Sequence, residues 1–127
     1  MIILDTSILV EGVSREGEVR TSIRATLAAR HRMAMPTPVL YEWLRGPRVK
    51  AELALQEALV PAEEALPFTD AEAAVAARLY KTVVRPRGRE MDLAIAAFAL
   101  TWQAQLWTLN EGDFTDLPHL SLFRPPA

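Results

Sequence analysis

The stretch Met1-Ile2-Ile3-Leu4-Asp5-Thr6-Ser7-Ile8-Leu9-Val10 decides how the rest of the chain is read. Four apolar residues run up to a carboxylate, and after two hydroxyl residues a second apolar run begins. A short, continuously apolar run over residues 2–5 has the pattern of a strand buried on both faces, as in a parallel sheet covered by helices. A carboxylate at its tip has two readings. Asp5, Thr6 or Ser7 could cap the free N–H groups of a following short helix. Alternatively Asp5 marks the carboxyl edge of the sheet, where open α/β folds place their ligands.

The rest of the chain favours the sheet. Val19, Ile23 and Leu27 recur four apart, which predicts a helix over 18–30. Met33-Ala34-Met35 reads as a second strand, stopped by Pro36 and Pro38. A short helix follows over 39–45, ended by Gly46-Pro47, and another over 48–59, closed by Pro61. Leu66-Pro67-Phe68 reads as a short edge strand. Thr69-Asp70-Ala71-Glu72 has the form of a capping box, and the helix behind it carries Ala71, Val75, Leu79 and Val83. A loop over 84–89 leads to a helix over 90–103. Strands are then expected over 106–109 and, after a turn over 110–114, over 120–123. Strands separated by helices predict an α/β fold with three layers: a short, mostly parallel central sheet and helices on both faces.

The 127 residues suit one domain, 1–127, with a core of its own. Half of them are hydrophobic and 24% charged, an ordinary globular profile. The longest apolar stretch, residues 93–102, is broken by Thr101 and is too short to span a bilayer. The start lacks the basic segment of a signal peptide. There are no cysteines, so disulfides, thiolate nucleophiles and zinc–cysteine sites are excluded, and the expected location is the cytoplasm. A net charge of −2 does not advertise nucleic-acid binding, yet Arg85, Arg87 and Arg89 cluster, as do Arg45, Arg48 and Lys50.

Three further acids bear on Asp5. Glu42 lies in Val39-Leu40-Tyr41-Glu42-Trp43-Leu44, so it sits either at the wet edge of the helix or in a polar site. Asp92 has Ile95, Ala96 and Ala99 at i+3, i+4 and i+7, which places it on an apolar face. Burying a carboxylate costs several kcal/mol, and the helix macrodipole returns roughly 0.3–1 kcal/mol of that. A cation would supply the difference. Asp113 follows the strand over 106–109 and is either a turn residue or a fourth acid at the same sheet edge. Four carboxylates in one place would repel one another, and a bound Mg²⁺ or Mn²⁺ resolves the conflict. An all-oxygen set points away from zinc and toward phosphoryl chemistry.

At these residues the chain resembles a PIN-domain ribonuclease, and in size and layout a VapC-type toxin of a toxin–antitoxin pair. The matching stretches are Ile3-Leu4-Asp5-Thr6-Ser7, Tyr41-Glu42-Trp43-Leu44-Arg45-Gly46, Asp92-Leu93-Ala94-Ile95-Ala96-Ala97, Leu109-Asn110-Glu111-Gly112-Asp113-Phe114 and Asp116-Leu117-Pro118-His119-Leu120-Ser121-Leu122. The resemblance implies a PIN-like, Rossmannoid fold with Asp5, Glu42, Asp92 and Asp113 as metal-binding and catalytic acids. Thr6, Ser7 and Asn110 would be supporting polar residues. It implies an Mg²⁺- or Mn²⁺-dependent endoribonuclease leaving 5′-phosphate and 3′-hydroxyl ends. An RNA substrate, a VapB-type antitoxin and a homodimer would be its partners.

The arginines then have a use: Arg85, Arg87 and Arg89, and Arg45, could contact RNA phosphates, or they could be ordinary solvated residues. Glu111 is displaced by one position and expected to be solvated. His31 and His119 read as surface residues, and Trp43, Trp102 and Trp107 as core. The competing reading is a non-catalytic PIN-like module that binds RNA or protein; such modules usually lose acids, and this chain keeps all four. A phosphatase reading lacks a second Asp after Asp5-Thr6-Ser7 and a Gly-rich phosphate loop.

Overall fold

The computed structural model describes residues 1–126, so Ala127, the last residue of the expected domain, lies outside the described residues. Along the chain run β1 (Ile2–Leu4), α1 (Thr6–Val13), α2 (Glu18–Ala28), β2 (Met33–Ala34), α3 (Thr37–Arg45), α4 (Lys50–Leu59), α5 (Asp70–Thr82), α6 (Glu90–Thr101) and β3 (Gln105–Trp107). Short 3-10 turns occupy Ala62–Glu64 and Glu111–Asp113.

The sheet has the order β2-β1-β3, and both neighbours of β1 run parallel to it. Ile2 pairs with Met33 and Gln105, and Leu4 pairs with Trp107. The chain moves from β1 to one side and then crosses to the other. The order of strands therefore reverses beside the carboxyl end of β1, the crevice in which parallel sheets bind ligands.

The apolar run at the start behaves as its composition demands: Ile2, Ile3 and Leu4 are at most 1% exposed. Side chains of this kind contribute up to about 1.5–3 kcal/mol each when fully buried. α6 packs against β1 and β3 and buries Leu93 and every residue from Ile95 to Ala99. α1 packs on α2, α3 and α4. At the α1–α2 crossing a Cβ on Gly12 would come within 2.3 Å of Ile23 Cδ1, so this turn of α1 has room for bare backbone only. Arg20 then closes the end of α1, donating from Nε to the Gly12 carbonyl (2.9 Å) and from Nη2 to the Val13 carbonyl (2.7 Å).

Some expected boundaries shift for identifiable reasons. α3 begins at Thr37 rather than 39, because Pro38 is tolerated in a first turn, where its missing N–H would have no partner. The strands expected at 66–68 and 120–123 are single bridges, Pro36 to Leu66 and Leu106 to Leu122. Beside the first bridge the chain enters α3 at Thr37, and beyond the second Pro125 lacks the N–H that would donate next, so neither pairing extends. Trp43 and Trp107 are buried as expected, but Trp102 is 43% exposed. It is the C-cap of α6, three residues past Ala99, the last buried residue of the helix. Among the described residues no helix is long and apolar enough to cross a membrane.

Candidate active site

Asp5 leaves the sheet at the tip of β1, where its N–H donates to the Trp107 carbonyl (3.0 Å). It is the N-cap residue of α1, yet its carboxylate makes no capping bond. Instead Oδ2 accepts from Ser7 Oγ (2.9 Å) and from Thr108 Oγ1 (2.7 Å), which leaves Oδ1 outside both bonds. The two hydroxyls are themselves held, Ser7 Oγ accepting from the Leu109 N–H (3.0 Å) and Thr108 Oγ1 from the Asn110 N–H (3.0 Å). Asp5 is 5% exposed and fixed in orientation by Ser7 of α1 and by Thr108 at the end of β3. Of its two sequence readings, the sheet edge is the one its side chain serves.

An open cleft of about 400 Å³ lies at this edge, lined by Asp5, Thr6, Ser7, Val10, Glu11, Glu42, Asp92, Leu109 and Asn110. α1 contributes Thr6, whose hydroxyl donates to Glu42 Oε1 (2.6 Å) and so ties α3 to the start of α1. Glu42 Oε2 faces Arg45 Nη2 at 3.5 Å, and the Arg45 guanidinium lies 5.2 Å from the centre of the Tyr41 ring. Glu42 is therefore in the cleft and not at a solvated edge. Asp92 enters from the first turn of α6, partly buried. Burial, followed by the charges of Asp5, Asp113 and Glu42, pushes its carboxyl from 3.8 up to about 6, against the opposing pull of Arg89.

Asp113, on the 3-10 turn after β3, is exposed and does not line the cleft; it reaches the site through its charge on Asp92. Asn110 lines the cleft and is exposed. Arg85 and Arg87 are exposed and enter no ion pair among the described residues. Arg89 pairs with Asp116. Glu111, expected to be solvated, is held by Arg124 at 3.0 Å. His31 and His119 are exposed.

Two residues of the site were not expected. Glu11 stands four after Ser7 on α1, so helical spacing alone would have placed it on the cleft side. Thr108 was not legible: its place beside Asp5 follows from the β1–β3 register, which the sequence does not print.

The donors here are carboxylates, hydroxyls and one amide, with neither His nor Cys, which suits a hard divalent cation. Asp92 is pushed up first by burial and then by the charges of Asp5, Asp113 and Glu42, and Arg89 offsets this only in part. Among the described residues no three His, Asp or Glu side chains stand ready to hold an ion by themselves. Mg²⁺ ordinarily takes only one or two carboxylates, completing its shell with water and phosphate oxygens, so the set fits it.

The sequence matches the PIN domain family over residues 2–120. The chain belongs to the PIN domain family. Its fold is shared by solved structures of low identity. One, described as VapBC2 from Rickettsia felis bound to a DNA fragment from their promoter, is similar at 24% identity, covering 97% of this chain and 98% of that one, with a TM-score of 0.77. FitAcB from Neisseria gonorrhoeae is 24% identical over 98% of both chains, with a TM-score of 0.68. A toxin–antitoxin complex from Klebsiella pneumoniae is 20% identical over 93% of both, with a TM-score of 0.72. No curated protein matches the sequence. In this PIN domain, then, the crevice of the sheet and the acids coincide.

Proposed function

We propose that this PIN domain is an Mg²⁺- or Mn²⁺-dependent endoribonuclease of the cytoplasm, the toxin of a type II toxin–antitoxin pair. The observation that carries the reading is the convergence of Asp5, Glu42 and Asp92, from three different elements, on one cleft at the sheet's switch point, with Asp92 pushed up by burial and then by its acidic neighbours. The toxin role rests on the similarity to a structure described as a toxin–antitoxin complex and to one described as VapBC2. A VapB-type antitoxin and a second copy of the chain are the partners that this role entails.

Asp5 and Asp92 would hold the ion, with Glu42 and Asp113 completing the site directly or by orienting water. A bound divalent ion lowers the pKa of its water and polarises the phosphoryl oxygen. The chain's own groups do the rest. Ser7 and Thr108 keep Asp5 turned toward the cleft, and Thr6 keeps Glu42 facing it. Asn110 offers an amide at the mouth, and Arg45, Arg85 and Arg87 supply positive charge for backbone phosphates, which positions RNA without reading its sequence.

The test is to incubate the purified chain with cellular RNA, with Mg²⁺ or with excess chelator, and to map new 5′-phosphate ends. Discrete cuts are expected that disappear with chelator and in Asp5→Asn and Asp92→Asn. Cuts that persist in both variants would sink the assignment of the site. An absence of cuts from folded, Mn²⁺-binding protein would instead favour a non-catalytic module.

A further inference from the structure

The three arginines that precede α6 are not equivalent. Arg85 and Arg87 project freely, whereas the Arg89 side chain is only 22% exposed and folds back over the turn that follows β3. Its Nη1 donates to Asp116 Oδ2 (2.8 Å) and its Nη2 to Asp116 Oδ1 (2.7 Å). Nη2 also donates to the backbone carbonyl of Asp113 (3.0 Å). A planar fork on both carboxylate oxygens fixes orientation as well as distance.

Both ends of this contact matter to the site. Arg89 is the N-cap of α6, its carbonyl accepting from the Leu93 N–H (2.9 Å), and Asp92 stands three residues along. At the other end Phe114, between the two contacted residues, and Leu117, just after them, sink into the core. The turn is thus anchored from below by apolar burial and tied to α6 from above by the guanidinium.

We propose that Arg89 is a positioning residue that clamps the 113–116 turn to the start of α6, and so sets Asp113 against Asp92; this rests on the metal-site reading above. Arg85 and Arg87 are then left for RNA phosphates.

Asp116 makes the test decisive, because a carboxylate cannot itself grip a phosphate. Arg89→Gln and Asp116→Asn are made in the full chain. Amide hydrogen exchange across residues 111–116, without metal, should quicken in both. Mn²⁺ binding by calorimetry should weaken about tenfold in both, as for other outer-shell partners of metal ligands. The salt dependence of binding to a labelled single-stranded RNA should keep its wild-type slope in Arg89→Gln.

The clamp is overturned if Asp116→Asn leaves exchange and Mn²⁺ affinity unchanged while Arg89→Gln flattens the slope by about 0.7, the loss of one phosphate contact. If the wild-type chain takes up no Mn²⁺, the metal-site reading falls, and exchange alone judges the clamp: unchanged rates in both variants overturn it. Should Arg89→Gln lose its fold, Arg89→Lys, which keeps the charge but not the fork, must show the same quickened exchange.

Discussion

Asp5 and Asp92 meet in one cleft but are held by opposite means. Asp5 accepts hydrogen bonds from two hydroxyls, whereas Asp92 is partly buried among like charges and is pushed up to about 6. A carboxyl whose folded pKa exceeds its unfolded value holds its proton more tightly in the folded state. Its contribution is therefore fully favourable below about 4, declines as the pH rises through about 6, and stays low above that. Asp92→Asn should accordingly raise the melting temperature of the metal-free protein at pH 8, by roughly 3–6 °C for a gain of about 1 kcal/mol. The gain should vanish near pH 3.5, where both side chains are neutral. Thermal melts at the two pH values in chelator check this; a variant that melts lower at pH 8 would show that Asp92 is not crowded. That Asp92 belonged to a site was readable from its apolar neighbours at i+3, i+4 and i+7. Its raised pKa was not, because that depends on burial and on charges 21 to 87 residues away in sequence.

Between elements, the most consequential polar contact lies away from the cleft. Glu72, at the third position of α5, is 4% exposed. Its Oε1 accepts from the Thr69 N–H (2.9 Å) and the Thr69 hydroxyl, and its Oε2 accepts from Thr101 Oγ1 (2.8 Å) at the end of α6. One carboxylate thus caps α5 and joins it to the helix that bears Asp92. Burial pushes its pKa up, but the hydroxyl and amide bonds outweigh this and hold it below the ordinary value. A depressed carboxyl contributes stability above its unfolded pKa and loses it as the pH falls through the folded one. Glu72→Ala should cost about 2 kcal/mol at pH 7, from the lost cap and two orphaned hydroxyls. In melts, that is a fall of roughly 6–10 °C, narrowing as the pH drops below about 4. A loss independent of pH would mean that packing, not charge, is at stake. The cap was legible in Thr69-Asp70-Ala71-Glu72, since it is local; the bond to Thr101 is tertiary and left no sequence signal.

At the scale of the whole molecule, the strand order β2-β1-β3 explains why so small a protein can build an acidic site at all. A three-stranded parallel sheet buries its middle strand completely, so β1 can carry Asp5 at its tip on a rigid support. The crossing of the chain from β2 to β3 then brings the ends of β1 and β3 together with α3 and α6. The alternation of strands and helices made this architecture readable in advance, whereas the strands expected at 66–68 and 120–123 are single bridges, one beside the start of α3 and the other followed by Pro125. The same architecture makes the site a load on the fold, because the acids repel one another, and on the metal-site reading a bound ion would relieve that repulsion. Binding to the folded state alone stabilises it by about 2.7 kcal/mol when the ligand stands at a hundred times its dissociation constant. The wild-type melting temperature should therefore climb steadily with Mn²⁺, and Asp92→Asn, which removes both the repulsion and a ligand, should start higher and climb less. The two curves should cross as Mn²⁺ is raised. Parallel curves would place the ion elsewhere on the molecule, and flat ones would leave the fold with Asp5, Glu42 and Asp92 at its switch point and no cation to justify them.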